Sequence, residues 1–257
     1  MITMDNISFF ALVLMRMSGC IFFNPIVGRR NLPNIYKVGI TVLLSLLVVL
    51  SYTEQPVLEF DSTLKFIEKL LLEFLIGFVI GFVVSLFTMV ISFGGEVIDL
   101  QMGLSMSKIF DPASNINMSL SASFFNIMFT LMFFAMGGHL TLIRLFVETD
   151  VIIPFGQVVF PMQNVSMTVL NIFCQCTILA AKMAMPVIAF ELLLEAGVGI
   201  IMKAIPQINI FVINIQLKVL VGLFILMVMF VPFSYFIENL ITLMFDAIKS
   251  VVMLFGQ

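Results

Sequence analysis

The chain has 257 residues, of which 61% are hydrophobic and only 11% are charged. A soluble domain carries about a quarter charged residues and about half apolar ones, so this composition excludes an ordinary water-soluble protein and indicates an integral membrane protein. The net charge of −3 and the lack of a long basic run give no support to nucleic acid as a partner.

Long apolar runs divide the chain into helices. We predict one all-α domain over residues 1–257, a polytopic helical membrane-type protein, because a spanning helix needs about 20 largely apolar residues. Polar connections marked by glycine and proline separate the runs, as expected where helices end. No internal repeat is evident, which excludes a solenoid and gives no support to an inverted-repeat transporter. The predicted helices occupy residues 5–23, 35–53, 64–101, 118–149, 166–203 and 208–236, and a short tail helix follows them.

The sequence carries no recognisable catalytic or metal-binding motif. It has no P-loop, no G-x-S-x-G and no H-E-x-x-H, and its single histidine, His139, has no second histidine with which to form a relay. The three cysteines, Cys20, Cys174 and Cys176, lie in apolar runs, where we interpret them as small core side chains. We therefore predict a protein that is not an enzyme and that has no catalytic residue, metal or cofactor.

Small and polar residues recur every three or four positions along the third predicted helix. Gly77, Gly81 and Ser85 begin this stripe, and the G-x-x-x-G spacing of the glycines lets helices approach closely, so we predict a helix-packing stripe. Glu96 and Asp99 end it. A carboxylate at mid-bilayer costs on the order of 3 kcal/mol, so these two are expected near a helix end, a partner or water.

A second stripe contains Glu191 and Glu195, one helical turn apart. Lys182, Arg16 and Lys218 are the candidate cations for these carboxylates. A structural charge network inside a helix bundle and a functional polar lining remain alternatives. The predicted buried charge network comprises Glu96, Asp99, Lys182, Glu191 and Glu195.

The connection after the third helix is more apolar than a solvated loop. Its bulky apolar members are Met102, Leu104, Met106, Ile109 and Phe110. So many apolar groups are unusual in an exposed connection, although the residues alone leave an ordinary loop as an alternative.

Four blocks of sequence resemble the FliR/SctT export-gate family of type III secretion, and they occur in the order of that family. The blocks are RMSGCIFFNPIVGRRNLPNIYKVGI (16–40), GEVIDLQMGLSMSKIFDPAS (95–114), GGHLTLIRLF (137–146) and FELLLEAGVGIIMKAIPQINIFVINIQLKVLVGLFIL (190–226). The last block includes the family motif residues Pro206, Gln207 and Asn209. The Gln-Met-Gly of the second block favours the flagellar branch over the injectisome branch.

The resemblance implies a structural, pore-forming subunit of a helical export-gate assembly. Its implied partners are FliP-like and FliQ-like gate subunits, an FlhB-like gate protein, the flagellar basal body ring, and unfolded exported proteins in transit. The implied location is the bacterial cytoplasmic (inner) membrane at the flagellar basal body, with much of the chain above the bilayer plane.

The resemblance also implies that residues 105–117 enter the channel and plug it. Met106, Ile109 and Phe110 are the expected plug residues, and Gly103 and Pro112 are the expected hinges of the loop. The remaining alternatives are an injectisome gate subunit, a small-solute transporter with ion sites at the four stripe carboxylates, and a membrane enzyme.

Overall fold

The computed structural model describes residues 4–29, 32–52, 62–104, 119–157, 161–204 and 210–256. Within these ranges the chain forms eight helices and no β-strand, which confirms the all-α prediction. The helices are α1 Met4–Phe22, α2 Asn34–Ser51, α3 Thr63–Gln101, α4 Leu120–Ala135, α5 Gly138–Ile152, α6 Met162–Ala204, α7 Ile210–Val228 and α8 Phe230–Phe255.

Several of these helices are long and apolar enough to cross a membrane. In the described part of the chain, α2, α3 and the stretch Met162–Ile201 of α6 meet this criterion individually. Two further spans are possible if α4 with α5, and α7 with α8, each count as one broken span. Three to five possible membrane spans agree with the predicted polytopic membrane-type protein of about six long helices.

The predicted helix over residues 118–149 is two helices, α4 and α5. Gly137 separates them and has a φ of 70°, a left-handed conformation that glycine adopts without strain. The Gly137–Gly138 pair is the sequence signal for this break.

The predicted helix over residues 208–236 is also interrupted, and the tail helix after it is long. The axes of Asn214–Val228 and α8 differ by 63°. The physical reason is Pro232, because a proline has no N–H to donate to the carbonyl four residues earlier, here that of Val228, and its ring clashes with it. The tail helix therefore begins at Phe230 and extends to Phe255.

The chain divides into two compact units, and α3, α6 and α8 contribute residues to both. The first unit comprises Met1–Phe87, Met136–Phe173 and Ile241–Gln257, and the second comprises Thr88–Ala135 and Cys174–Leu240. The assignment of residues 1–257 to one domain remains a prediction.

Each unit has its own apolar core. In the first unit, α1 buries Phe9, Leu12 and Met17 completely. In the second unit, the rings of Phe125 and Phe233 pack edge to face with centroids 4.8 Å apart. Edge-to-face aromatic contacts of this kind stabilise a core beyond the area they bury.

Candidate functional site

The central connection lies between the end of α3 and the start of α4. Residues 105–118 lie outside the described part of the chain, and with them the predicted plug residues Met106, Ile109 and Phe110 and the predicted hinge Pro112. Gly103, the other predicted hinge, is described and has a φ of 77°, a conformation that favours glycine. It follows the last turn of α3, the position at which a left-handed glycine commonly ends a helix.

A buried carboxylate links the two sides of this connection. Asp99, in the last turn of α3, accepts a hydrogen bond from the Ser119 hydroxyl at 2.6 Å and another from the Ser121 N–H at 3.1 Å. The Ser119 hydroxyl oxygen in turn accepts from the Ala122 N–H at 3.1 Å, so Ser119 is the N-cap of α4. We call Asp99, Ser119 and Ser121 the Asp99 clasp. All three residues are buried, with exposures of 3–5%.

The position of the clasp suits its charge. Asp99 reaches the N-terminus of α4, where unpaired backbone N–H groups create a partial positive charge that attracts a carboxylate. Asp99 was expected near a helix end because an isolated carboxylate in an apolar run is unfavourable. The structure places it at the ends of two helices.

Close backbone contacts surround the last turns of α3 in the second unit. A Cβ atom on Gly95 would overlap the backbone of Ala122 in α4, and one on Gly94 would lie 2.9 Å from the Met183 sulfur in α6. Met102 is fully buried, and its side chain lies against Gly222 of α7. The end of α3 is therefore enclosed by three helices.

The glycines of the predicted packing stripe lie at the contact between α1 and α3 in the first unit. A Cβ atom on Gly77 would overlap the carbonyl oxygen of Arg16, and one on Gly81 would lie 3.1 Å from the carbonyl oxygen of Gly19. On α1, a Cβ atom on Gly19 would meet the Phe74 carbonyl oxygen at 2.5 Å. The two backbones therefore approach as closely as only glycine permits.

Ser85, the third predicted member of that stripe, bonds within its own helix. Its hydroxyl donates to the Phe82 carbonyl oxygen at 2.7 Å, and its side chain is half-buried. This back-bonding to the preceding turn is common for serine in helices and satisfies its hydroxyl locally.

The five residues of the predicted buried charge network do not form one network within the described chain. Asp99 and Glu191 are buried, whereas Glu96, Lys182 and Glu195 are exposed. Each stripe contains one buried and one exposed carboxylate, because a spacing of three or four residues places side chains near one helix face but does not fix what covers each of them. Whether partner subunits complete the network remains a prediction.

Of the two carboxylates in the second stripe, one has a cationic partner among the described residues and the other has none. The exposed Glu195 forms an ion pair with Lys218 of α7, one of the three candidate cations. Neither carboxylate oxygen of the buried Glu191 has a hydrogen-bond partner among the described residues. The pairing expected for both glutamates is thus observed for Glu195 alone.

A buried ion pair in the first unit was missed by sequence reasoning. The Arg16 Nε donates to Glu73 at 2.6 Å, its second nitrogen donates to the Ile153 carbonyl oxygen at 2.9 Å, and its guanidinium lies 3.9 Å from the Phe155 ring centroid. The other oxygen of Glu73 accepts the Gly156 N–H at 2.8 Å. The sequence alone suggests Arg16 only as a candidate cation for the second stripe. The usable signal was that Arg16 and Glu73 are isolated charges within apolar stretches.

The family motif residues Pro206, Gln207 and Asn209 lie outside the described part of the chain. The described residues include no group of three or more histidine, cysteine or acidic side chains that could hold a metal ion. Cys20, Cys174 and Cys176 are free thiols; the first and third are buried, and Cys174 is exposed.

Comparison with known proteins gives matches over nearly the whole chain. The family described as "Bacterial export proteins, family 1" matches residues 7–244. The flagellar biosynthetic protein FliR of Escherichia coli (strain K12) is 28% identical over 247 residues, which cover 93% of this chain and 90% of the relative. The FliR of Bacillus subtilis (strain 168) is 25% identical over 257 residues, which cover 96% of this chain and 95% of the relative.

A further match covers only about half of the chain, and the matching protein is not named FliR. The surface presentation of antigens protein SpaR of Shigella flexneri is 30% identical over 135 residues, 52% of this chain and 51% of its own. The family match, by contrast, extends from α1 into α8 and includes both units. The chain therefore belongs to the bacterial export proteins of family 1, the FliR/SctT family.

Proposed function

We propose that the chain is a pore-forming subunit of the flagellar type III secretion export gate in the bacterial inner membrane. In this role it helps to form and plug the channel through which unfolded flagellar proteins pass. The observation that carries the proposal is the family match over residues 7–244, together with flagellar relatives aligned over more than nine tenths of the chain.

The proposed partners are FliP-like and FliQ-like gate subunits and an FlhB-like protein. Uncovered apolar surface supports contact with such partners. An apolar groove of about 680 Å³ in the second unit is lined by residues of α4, α7 and α8, among them the exposed Phe124, Leu223 and Met227. Surface of this kind marks a protein–protein or lipid-facing region rather than a water-facing one.

The plug is proposed to be residues 105–117, with Met106, Ile109 and Phe110 as its sealing side chains. A seal that must yield to an unfolded chain should be apolar and displaceable, and methionine adapts its shape to irregular gaps. Burial of each such side chain stabilises the sealed state by about 1.5–3 kcal/mol. Losing all three should therefore shift the gate strongly towards an ion-permeable state.

The test uses a strain that co-expresses the partner subunits. Deletion of residues 105–117, or replacement of Met106, Ile109 and Phe110 by glycine, should increase membrane conductance to small ions and slow growth under salt stress. The matched control replaces Ser105, Ser107 and Ser114 of the same segment by glycine and should stay tight. A tight membrane in the deletion strain, with the assembled complex shown to be present, would show that this segment is not the seal.

The second candidate is an injectisome export-gate subunit, which the match to SpaR favours over about half of the chain. Deleting the gene for this chain separates the two candidates. Loss of motility with retention of other protein secretion supports the flagellar gate, and the reverse result supports the injectisome gate.

A further inference from the structure

The Asp99 clasp bridges the last turn of α3 and the first turn of α4 directly, through Ser119 and Ser121. Residues 105–118 could extend to roughly 50 Å, so the length of the connection does not itself hold its ends together. Both oxygens of Asp99 are engaged, and the 2.6 Å distance from the Ser119 hydroxyl lies in the range of strong, charge-assisted hydrogen bonds.

We infer that Asp99 is a positioning residue that holds the two ends of the 105–118 connection at a fixed separation. The functional consequence rests on the proposed role of that connection as the channel plug. A plug whose ends are fixed can return to one seal after a substrate has passed, whereas loosened ends would let it settle in several positions.

The clasp can loosen without separating the helices. One turn earlier on α3, Gly95 lies against the Ala122 backbone of α4, and Gly94 lies against Met183 of α6. These contacts of Gly94 and Gly95 do not involve the Asp99 carboxylate. Loss of the clasp should therefore free the first turn of α4 and the residue before it, while the helix packing and the assembly of the complex are kept.

The chemistry of the clasp favours a carboxylate. One oxygen of Asp99 accepts from the Ser119 hydroxyl, and the Ser121 N–H lies within reach of both oxygens. Asparagine has a single acceptor oxygen and no charge, so its NH2 group would have to donate to the Ser119 hydroxyl and reverse that hydrogen bond. Asp99→Asn should therefore weaken the link to Ser119, which is charge-assisted in the parent chain. Ser119→Ala removes the hydroxyl, whereas Ser119→Thr retains it.

The experiment measures the separation of the two ends directly. In a full chain without native cysteines, assembled with its partner subunits, spin labels replace the exposed Leu100 and Leu120 on either side of the connection. Asp99→Asn and Ser119→Ala should broaden the distance distribution, and Ser119→Thr should keep it narrow. Glu96→Gln, which neutralises an exposed carboxylate one turn earlier on α3, is the matched control and should leave the distance distribution narrow.

Ion conductance is measured in the same variants. Ser119→Ala should raise the leak about fivefold, within the roughly 2- to 30-fold range expected for loss of a helix N-cap. Asp99→Asn should also raise the leak, and Ser119→Thr should stay tight. Should Asp99→Asn fail to accumulate, Ser119→Ala supplies both measurements. Ser119→Ala removes the donor to Asp99 and also leaves the Ala122 N–H without its capping oxygen, so it opens the same link from the α4 side.

The outcomes separate this inference from the proposed plug. A distance distribution that stays narrow in Asp99→Asn and Ser119→Ala overturns the inference. Broadened distances without a leak, in a system where deletion of residues 105–117 does leak, overturn the functional role of the clasp and leave the plug standing. If the deletion itself does not leak, the plug proposal fails, and the distances alone still decide whether Asp99 fixes the two ends.

Discussion

The buried charges of Arg16 and Glu73 are each met by several groups that compensate them. The guanidinium of Arg16 contacts a carboxylate, a backbone carbonyl and an aromatic face, and Glu73 uses both of its oxygens. The pair joins α1, α3 and the turn at Ile153–Gly156. Such a pair adds little net stability over a well-packed apolar pair, but each partner depends strongly on the other because an unpaired buried charge is unfavourable.

This dependence gives a prediction for the ion pair. Arg16→Ala and Glu73→Ala should each lower the free energy of unfolding by about 3–5 kcal/mol, since each leaves one buried charge uncompensated. The double variant Arg16→Met with Glu73→Leu should lose less, because no charge remains. Thermal unfolding of the purified chain in detergent measures the effect, with the exposed Lys249→Ala as control. Single variants as stable as the parent would show that the pair is not buried in solution.

Helix α3 uses its small residues at two separate contacts. Gly77 and Gly81 face α1 in the first unit, whereas Gly94 and Gly95 face α6 and α4 in the second. Each glycine weakens an isolated helix by about 1 kcal/mol relative to alanine, so four in one helix need a compensating gain. Close backbone packing provides it, and one continuous helix thereby contributes to both cores.

The geometry predicts a graded response to added methyl groups along α3. Gly77→Ala should be strongly destabilising, because the new Cβ atom overlaps the Arg16 carbonyl oxygen, which is backbone and cannot move aside. Gly81→Ala should be milder, since its Cβ atom would lie 3.1 Å from the Gly19 carbonyl oxygen. Gly39→Ala in α2 meets nothing within 4 Å and should stabilise by about 0.5–1 kcal/mol.

Melting temperature and the yield of the partner complex measure this series. Leucine in place of Gly77 or Gly81 should reduce the yield further, because its larger side chain holds the two helices apart. Equal melting temperatures for the Gly77 and Gly39 alanine variants would contradict the observed contact with α1.

Across the whole molecule, the sequence predicts the features that follow from long apolar runs and from the regular spacing of residues along a helix. The predicted third helix, residues 64–101, nearly coincides with α3, because a long apolar run bounded by polar connections leaves little choice. The breaks at Gly137 and Pro232 were missed, since apolarity continues through both. The pairing of Arg16 with Glu73 joins distant parts of the chain, and no periodicity carries that information.

The same limit applies to the candidate site. The spacing of Glu96 and Asp99 on α3 indicated one face, but it could not say that Asp99 meets two serines while Glu96 stays exposed. The match of the central connection to the export-gate family came from resemblance and not from spacing. Its role as a plug is therefore a proposal, which the conductance measurements on the deletion and glycine variants test.

Of the three described helices that are individually long and apolar enough to cross a membrane, α6 is covered least by the rest of the described chain. Only 22% of its apolar span is buried, compared with 61% of that in α3. In an export gate this face should be covered by neighbouring subunits, and its burial should increase on assembly. Cys174 and Cys176 lie two residues apart on this helix, the first exposed and the second buried, and so report on the two sides of α6.

We predict that assembly protects Cys174 from alkylation. In the full chain purified alone in detergent, N-ethylmaleimide should modify Cys174 and leave Cys20 and Cys176 unmodified, because access to the thiol limits the reaction. In the complex with FliP-like and FliQ-like subunits, Cys174 should also be unreactive. Mass spectrometry of the alkylated chain gives the extent at each cysteine, and Cys174→Ser should assemble normally. Equal alkylation of Cys174 in the chain alone and in a verified complex would mean that partners leave this face of α6 uncovered.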